Sequence, residues 1–477
     1  MIDDAGEIGV GIIDPRHQPV AERRQRTGKP GQQRRRFTMI AHCASFFSPD
    51  EAPVSRVTQH RMALLTAMIK TLMAALFVLV ALALPGQTAT FSMKRGLNLD
   101  QWVTWPGEDQ WGDAKAILPY PEWRKFLGED DLKALKDAGF DFLRMPVDPS
   151  PFLSDQTVAL RDDLYASVLD SVRIINRAGL KVIVDMHLIP AGGSRKIGMA
   201  EVMGDPRTFD AYVEMVRKMA RTLASEDPAQ VAFEPMNEPI VDCDSDGTSL
   251  WPDRQRKLFA AARSSATKLT LVLTGACYSA ASSLEKIDPK TIPDDNVIWT
   301  FHSYDPFLLT HQGATWAGDF IPYVTGLPYP LSAVPKAQLD VTLDTIRARI
   351  KAEAPWTRQS GLLAYLDEQV ASMDTPDRLL GLMDAPFEKV EAWARANGVK
   401  PGNITLGEFG MIRQEYGNSY VMPAGYRAAY VRDMIARAEA HGFSWSVWSY
   451  GGAFGIVDAF NGDKAEPDVM DAIKSLH

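Results

Sequence analysis

Two glutamates differ from the rest of the acidic residues in their surroundings. Glu238 lies in Phe233-Glu234-Pro235-Met236-Asn237-Glu238-Pro239, and Glu408 in Leu406-Gly407-Glu408-Phe409-Gly410. Among apolar and turn residues an unpaired carboxylate is costly, so a solvated surface role fits neither. Two carboxyl groups facing each other across about 5 to 5.5 Å can cleave a glycosidic bond. One protonates the leaving oxygen while the other attacks the anomeric carbon. The competing structural reading is that either glutamate is a buried ion-pair partner, for instance of Arg144.

Opposite strands of a narrow barrel would supply such a separation. From about residue 93 the chain alternates short apolar runs with amphipathic stretches. The runs read as strands over 93–99, 140–147, 181–187, 231–236, 269–275, 296–303, 404–409 and 443–450. The helical patterns lie at 130–138, 164–178, 209–224, 254–266, 386–397, 425–441 and 467–476. Ala138-Gly139-Phe140, Ala178-Gly179-Leu180 and Asn397-Gly398-Val399 stop helices just before strands. Strict βα alternation predicts a parallel sheet buried on both faces, and eight units predict closure into a (β/α)8 TIM barrel. A dinucleotide-binding sheet is disfavoured: Asp100-Gln101-Trp102, not a Gly-x-Gly-x-x-Gly turn, follows the first strand.

In such barrels functional groups gather where strands end. That position holds Arg144, His187, Asn237 with Glu238, His302 with Tyr304, Glu408, and Trp448. Asp185 and His187 have the spacing of a metal pair, but no third ligand accompanies them, so neither a catalytic metal nor a cofactor is expected. Each histidine taken alone could equally be a satisfied core residue.

The ordered set of motifs resembles the cellulase family of clan A, glycoside hydrolase family 5, over roughly residues 93 to 460. The matching segments are Arg95-Gly96-Leu97-Asn98-Leu99, Leu143-Arg144-Met145-Pro146, Asp185-Met186-His187, Asn237-Glu238-Pro239, His302-Ser303-Tyr304, Gly407-Glu408-Phe409-Gly410 and Trp448. The resemblance implies that Glu238 is the general acid/base and Glu408 the nucleophile of a retaining β-glycoside hydrolase. Asn237 would bond the sugar 2-hydroxyl, and Arg144 and Tyr304 would orient Glu408 and support its charge. His187 and His302 would line the subsite of the reacting sugar, with Trp448 as its floor.

About a hundred residues, 305 to 403, separate strands six and seven where one loop and helix would suffice. They depart from the family pattern and read as an insertion on the catalytic face, with helices at 343–354 and 362–373. His311-Gln312-Gly313-Ala314-Thr315-Trp316 follows His302 and Tyr304 closely enough to reshape or block subsites. Trp102, Trp105, Trp111, Trp251 and Trp316 fall in loops, where an indole can pack against the C–H face of a sugar, and two of the five are expected to do so. Trp123, Trp299, Trp393 and Trp445 read as core.

The first 89 residues hold 11 of the 51 basic residues, 7 of the 60 acidic ones and no tryptophan. The Arg-rich start, with Arg23-Arg24-Gln25-Arg26 and Arg34-Arg35-Arg36, has too little apolar surface to fold. Lys70, the thirteen-residue apolar run Leu72 to Leu84 and Gln87-Thr88-Ala89 form a signal-peptide pattern. Residues 62–89 are therefore expected to be a signal peptide, with an uncleaved anchor as the alternative, and 1–61 a disordered upstream extension from a mis-assigned start. Residues 90–477 form the barrel. They carry 40 basic against 53 acidic residues, a balance that argues against nucleic acid or anionic membranes as partners. Secretion or export to a periplasm follows, with a monomer acting on β-linked polysaccharide or oligosaccharide. Cys243 and Cys277 would then be bridged, or remain as two buried thiols. An endo-β-glucanase is the leading reading. The alternatives are a mannan- or exopolysaccharide-cleaving or exo-acting enzyme of the same mechanism, or a non-catalytic carbohydrate-binding envelope protein.

Overall fold

The computed structural model describes residues 90–477, apart from 104–105, 190–195, 244–248, 461 and 477. The expected upstream extension, the signal peptide and Trp105 lie outside the described residues. Eight parallel strands close into a barrel in chain order. They are β1 Arg95–Asn98, β2 Phe142–Val147, β3 Lys181–Met186, β4 Val231–Glu234, β5 Thr270–Thr274, β6 Val297–His302, β7 Ile404–Glu408 and β8 Ser444–Val447. All eight expected strands are present, shortened by a few residues at their ends.

The principal helices are α1 Glu129–Asp137, α2 Arg161–Arg177, α3 Pro206–Leu223, α4 Trp251–Ser265, α5 Lys336–Glu353, α6 Trp356–Ser372, α7 Pro376–Asn397, α8 Ala424–Ala440 and α9 Asp468–Lys474. Local sequence accounts for their ends. Asp205 accepts a 2.8 Å hydrogen bond from the backbone N–H of Thr208 at the start of α3, and Pro206 takes the first helical position, where a missing N–H costs nothing. Beyond α1, α2 and α7 the stop glycines 139, 179 and 398 take φ values of +95°, +82° and +70°. In α3 the buried face runs through Phe209, Tyr212, Met215, Val216, Met219 and Leu223, the three-and-four spacing of a stripe laid on the sheet.

Inside the barrel the period-two alternation of each strand creates layers. Phe142, Ile183, Ala232, Val272 and Ile298 fill the lower lumen with Phe91 and Met93. Two residues further along the same strands stand Arg144, Asp185, Glu234, Thr274 and Thr300, all buried. The chain thus switches from an apolar plug to a charged layer within one strand repeat.

The long segment after β6 proves to be two things. Residues 376–397 form α7, the barrel helix that belongs between β6 and β7, so the true insertion ends near residue 375. This helix begins ten residues before the expected start at Pro386, because Thr375 caps it (3.3 Å to the N–H of Arg378) and Pro376 opens it. Pro386 sits within the helix. The insertion proper is packed: His311, Gln312 and Ala314 are buried, and the Gln312 amide bonds both the carbonyl (2.9 Å) and the N–H (2.8 Å) of Leu327. Cys243 and Cys277, in the loops after β4 and β5, form a disulfide with their Cα atoms 4.8 Å apart. Among the described residues no helix is long and apolar enough to cross a membrane.

Candidate active site

Arg144 organises the mouth of the barrel. Projecting from β2, it is fully enclosed and spends its planar donor set on several strands at once. Nε and Nη2 donate to the two oxygens of Glu234 (2.8 and 3.0 Å), and Nη1 donates to Glu408 (2.7 Å) and Asn98 (2.9 Å). Nη2 also donates to Asn237 (2.6 Å) and lies 3.0 Å from Asp185. Burial works against its charge, but Asp185, Glu234 and Glu408 outweigh that effect and hold its pKa well above the ordinary range. The bidentate pair with Glu234 is the buried structural ion pair; Glu408 is held by one edge only.

Glu408 ends β7 and is buried. Its second oxygen accepts from the Tyr304 hydroxyl at 3.0 Å. Burial first, then the neighbouring Glu408 charge, pushes the Tyr304 phenol well above its usual range, so it stays a neutral donor. Gly410, two residues on, has a packing reason: a Cβ there would stand 2.2 Å from the Trp448 carbonyl oxygen. That close approach lets the Trp448 N–H donate to the Phe409 carbonyl at 2.8 Å, joining the loop of the carboxylate to the loop of the tryptophan.

Glu238 follows β4 and keeps 26% of its side-chain exposure. Its carboxyl lies 2.6 Å from Nδ1 of His302. Burial raises its pKa to about 7, against the opposing pull of His187 and Arg144. Burial likewise depresses His302 to about 3, so the imidazole that meets Glu238 is neutral. Glu238, His302 and Glu408 each place one polar atom within 4.8 Å of the others.

His187 and Asn237 form a third arm. His187 Nδ1 is 2.8 Å from Asp185, and its Nε2 is 3.2 Å from the Asn237 amide nitrogen. Burial lowers the His187 pKa, so its neutral ring donates on the Asp185 side and accepts from Asn237. Its ring stacks on that of Trp448, 5.3 Å away at 18°. Trp448 remains half-buried and forms one wall of the opening.

The eight residues expected at the site therefore converge. Asp185, Glu234 and Asn98 were missed as site residues. Their available signal was a polar side chain in the last turn of a strand buried on both faces, which must point into the lumen. The Asp185–His187 spacing, a possible metal pair in the sequence, is used differently: the two bond each other, and Asp185 also faces Arg144. The cluster of Glu238, His302 and Glu408 is likewise poorly suited to a divalent cation, because Glu408 already accepts from Arg144 and Tyr304, and the guanidinium would repel a second positive charge.

The loop tryptophans divide sharply. Trp102, Trp111 and Trp251 are fully buried, so they are core residues, not platforms, as are Trp123, Trp299, Trp393 and Trp445. Trp102 packs on Tyr120 at 4.1 Å, the Trp111 indole N–H donates to the Pro106 carbonyl at 2.8 Å, and Trp251, the first residue of α4, donates to the Thr274 carbonyl at 2.9 Å. Trp316 is half-buried. The segment that could have blocked subsites lies behind Tyr304, with His311 against its ring at 5.0 Å.

The family model for cellulase (glycosyl hydrolase family 5) matches residues 101–454. The chain belongs to that family. It is 26% identical over 240 residues to endoglucanase C of Acetivibrio thermocellus, covering 50% of this chain and 65% of that protein. It is 24% identical over 377 residues to endoglucanase 3 of Fibrobacter succinogenes, covering 77% of this chain and 50% of that protein. The chain thus spans between half and about two thirds of the length of these relatives. Among solved structures, a cellulose synthase subunit Z from Clostridioides difficile superposes with a TM-score of 0.55 at 22% identity, covering 80% of this family 5 chain and 99% of that one. Cel5A of Thermotoga maritima with cellobiose gives a TM-score of 0.54 at 20% identity, covering 80% and 97%. At these identities the likeness is one of fold.

Proposed function

We propose that this family 5 chain hydrolyses a β-1,4-linked glucan, or a closely related β-linked polysaccharide, with retention of configuration. The observation that carries the reading is the asymmetry of the two glutamates within 4.8 Å of one another. A separation in the short range, about 5 to 5.5 Å between carboxyl groups, leaves no room for a water between the second carboxylate and the anomeric carbon, so that carboxylate itself attacks.

Glu238, with its pKa at about 7, carries the proton that the leaving oxygen needs. Glu408, oriented by Arg144 and Tyr304, is the nucleophile. In the second half-reaction Glu238, now ionised, takes a proton from the incoming water. Asn237 is fixed by Arg144 and His187 and would donate an N–H to the sugar 2-hydroxyl. Trp448 and His187 would pack under the ring of the reacting sugar. The names of the relatives, endoglucanase among them, favour glucan and internal cleavage.

Glu408→Ala should abolish hydrolysis of an aryl β-glycoside, and added azide should restore turnover by giving an α-glycosyl azide. Azide rescue that yields a β-glycosyl azide, or no rescue at all, would remove Glu408 from the role. Export is the second part of the proposal. The Cys243–Cys277 bridge favours an oxidising compartment. Sequencing the N-terminus of the exported protein should find it beyond the apolar run 72–84, and recovery of peptides from residues 1–61 in the exported product would refute this.

A further inference from the structure

The two glutamates are held in different ways. Glu408 is the last residue of β7 and pairs with His302 in the strand ladder, whereas Glu238 lies four residues beyond Glu234, the last residue of β4. Neighbouring elements hold the backbone at Glu238 instead. The N–H of Asn237 donates to the Met186 carbonyl at 3.1 Å. The Asn237 carbonyl, half of the peptide unit that leads into Glu238, accepts from the buried hydroxyl of Ser279 at 2.9 Å. Ser279 also reaches the partner of the acid: its carbonyl accepts from the N–H of His302 at 2.9 Å, and His302 Nδ1 meets the Glu238 carboxyl at 2.6 Å. One residue of the loop after β5 thus fixes the backbone on both sides of the Glu238–His302 contact.

Ser279 does so from an unusual backbone. Among the described residues, the non-glycine residues with positive φ are Asp242 (57°), Cys277 (48°), Tyr278 (60°) and Ser279 (56°). A left-handed backbone is costly for any residue with a Cβ, and three in succession persist only where the surroundings over-determine them. All four lie in the loops after β4 and β5, which the Cys243–Cys277 disulfide joins. Cys277 also donates its N–H to the Val241 carbonyl at 3.2 Å, and the Asp242 carboxylate accepts from the N–H groups of Leu250 (3.0 Å) and Trp251 (2.6 Å). The strained run therefore has a covalent anchor at its first residue and the peptide unit of the acid at its last. Strain of this kind gathers where a site must be pre-organised.

We propose that Ser279 is a positioning residue for the general acid/base, and that the Cys243–Cys277 bridge holds the left-handed turn from which it acts. Both work through Glu238 and not on the sugar, and the proposal rests on the hydrolase reading given above. Proton transfer to the leaving oxygen requires hydrogen-bond reach, so a small displacement of the Glu238 backbone forfeits it. The nucleophile is held separately, by the β7 ladder, Arg144 and Tyr304, so attack on the anomeric carbon is spared.

The test separates proton donation from nucleophilic attack by leaving group. Loss of 2,4-dinitrophenolate from an aryl β-cellobioside needs no proton, whereas loss of phenol does. In Ser279→Ala, kcat/KM for 2,4-dinitrophenyl β-cellobioside should stay within about twofold of the parent, and that for phenyl β-cellobioside should fall about 10-fold. Ser279→Gly, which relieves the left-handed strain but also lacks the hydroxyl, should show the same split. Cys243→Ala/Cys277→Ala should show it in the same direction, by about threefold or more. If that variant does not fold, the parent chain reduced in its folded state gives the same comparison, a phosphine and water turning the bridge into two thiols and the phosphine into its oxide. Equal losses on both substrates, or none on either, would overturn the positioning role and leave the hydrolase reading intact. A parent chain that cleaves neither cellobioside would overturn that reading, and the positioning role with it.

Discussion

The lower and upper halves of the barrel lumen are built from the same strands, yet they are opposites in chemistry. Below, Phe142, Ile183, Ala232, Val272 and Ile298 interlock without a polar atom among their side chains. One strand repeat above, on β2, β3 and β4, Arg144 faces Asp185 and Glu234. The lower layer gains from burial in the ordinary way. The upper layer carries buried atoms with no protein partner, including Asp185 Oδ1, Thr300 Oγ1 and His302 Nε2. Each such group costs stability. A layer that costs stability persists where it performs chemistry, and the layer beneath it supplies the rigidity that keeps it in register.

This contrast can be broken at its strongest point first. Arg144→Ala would leave three carboxylates facing one another without a counter-charge, which costs about 3 to 5 kcal/mol. Turnover of an aryl β-glycoside should fall by about 100-fold or more even where circular dichroism shows the fold intact. Normal turnover in that variant would mean the charged layer is only structural. Phe142→Ala, two residues below, should cost about 3 to 5 kcal/mol in thermal or denaturant unfolding but leave kcat within a few-fold at temperatures where the chain is folded. A selective loss of kcat would show that the plug does more than support.

The smallest effect tests the electrostatics of the rim. Burial raises the pKa of Glu238 to about 7, so the folded chain holds a proton that the unfolded chain releases near pH 4. Its contribution to stability is full below about pH 4 and declines as the pH rises towards 7. Glu238→Gln cannot ionise. It should therefore match the parent in melting temperature at pH 4 and exceed it by about 2 °C or more at pH 8, while losing activity on unactivated substrates. Equal melting temperatures at both pH values would place Glu238 in a solvated setting and remove the physical basis of its role as an acid.

Much of the site was legible because barrel topology turns chain order into spatial order. Once eight strands are recognised, the residues at their ends must meet, and Arg144, Glu238, Tyr304 and Glu408 needed no further information. The partners of Arg144 were less legible. Glu234 is only four residues from Glu238, but which of the two pairs with Arg144 depends on which points into the lumen. Asp185 looked like half of a metal site because sequence shows its spacing to His187 and not the guanidinium across the barrel. Three of the five loop tryptophans were illegible for a similar reason: a position outside the expected elements predicts exposure, whereas Trp102, Trp111 and Trp251 are buried, Trp251 as the first residue of α4.

The sequence by itself determined the alternation of strands and helices, the closure of the barrel and the identity of its terminal residues, since periodicity and strand order are local properties. The tertiary structure alone decided how charge is divided among three buried carboxylates, the half-buried Glu238 and one arginine, and where the 305–375 insertion lies. It also decided that Tyr416 and Phe460, 44 positions apart in the chain, bring their rings within 5.8 Å of each other. Those outcomes depend on distances of a few ångströms between groups from different strands, which no spacing along the chain encodes.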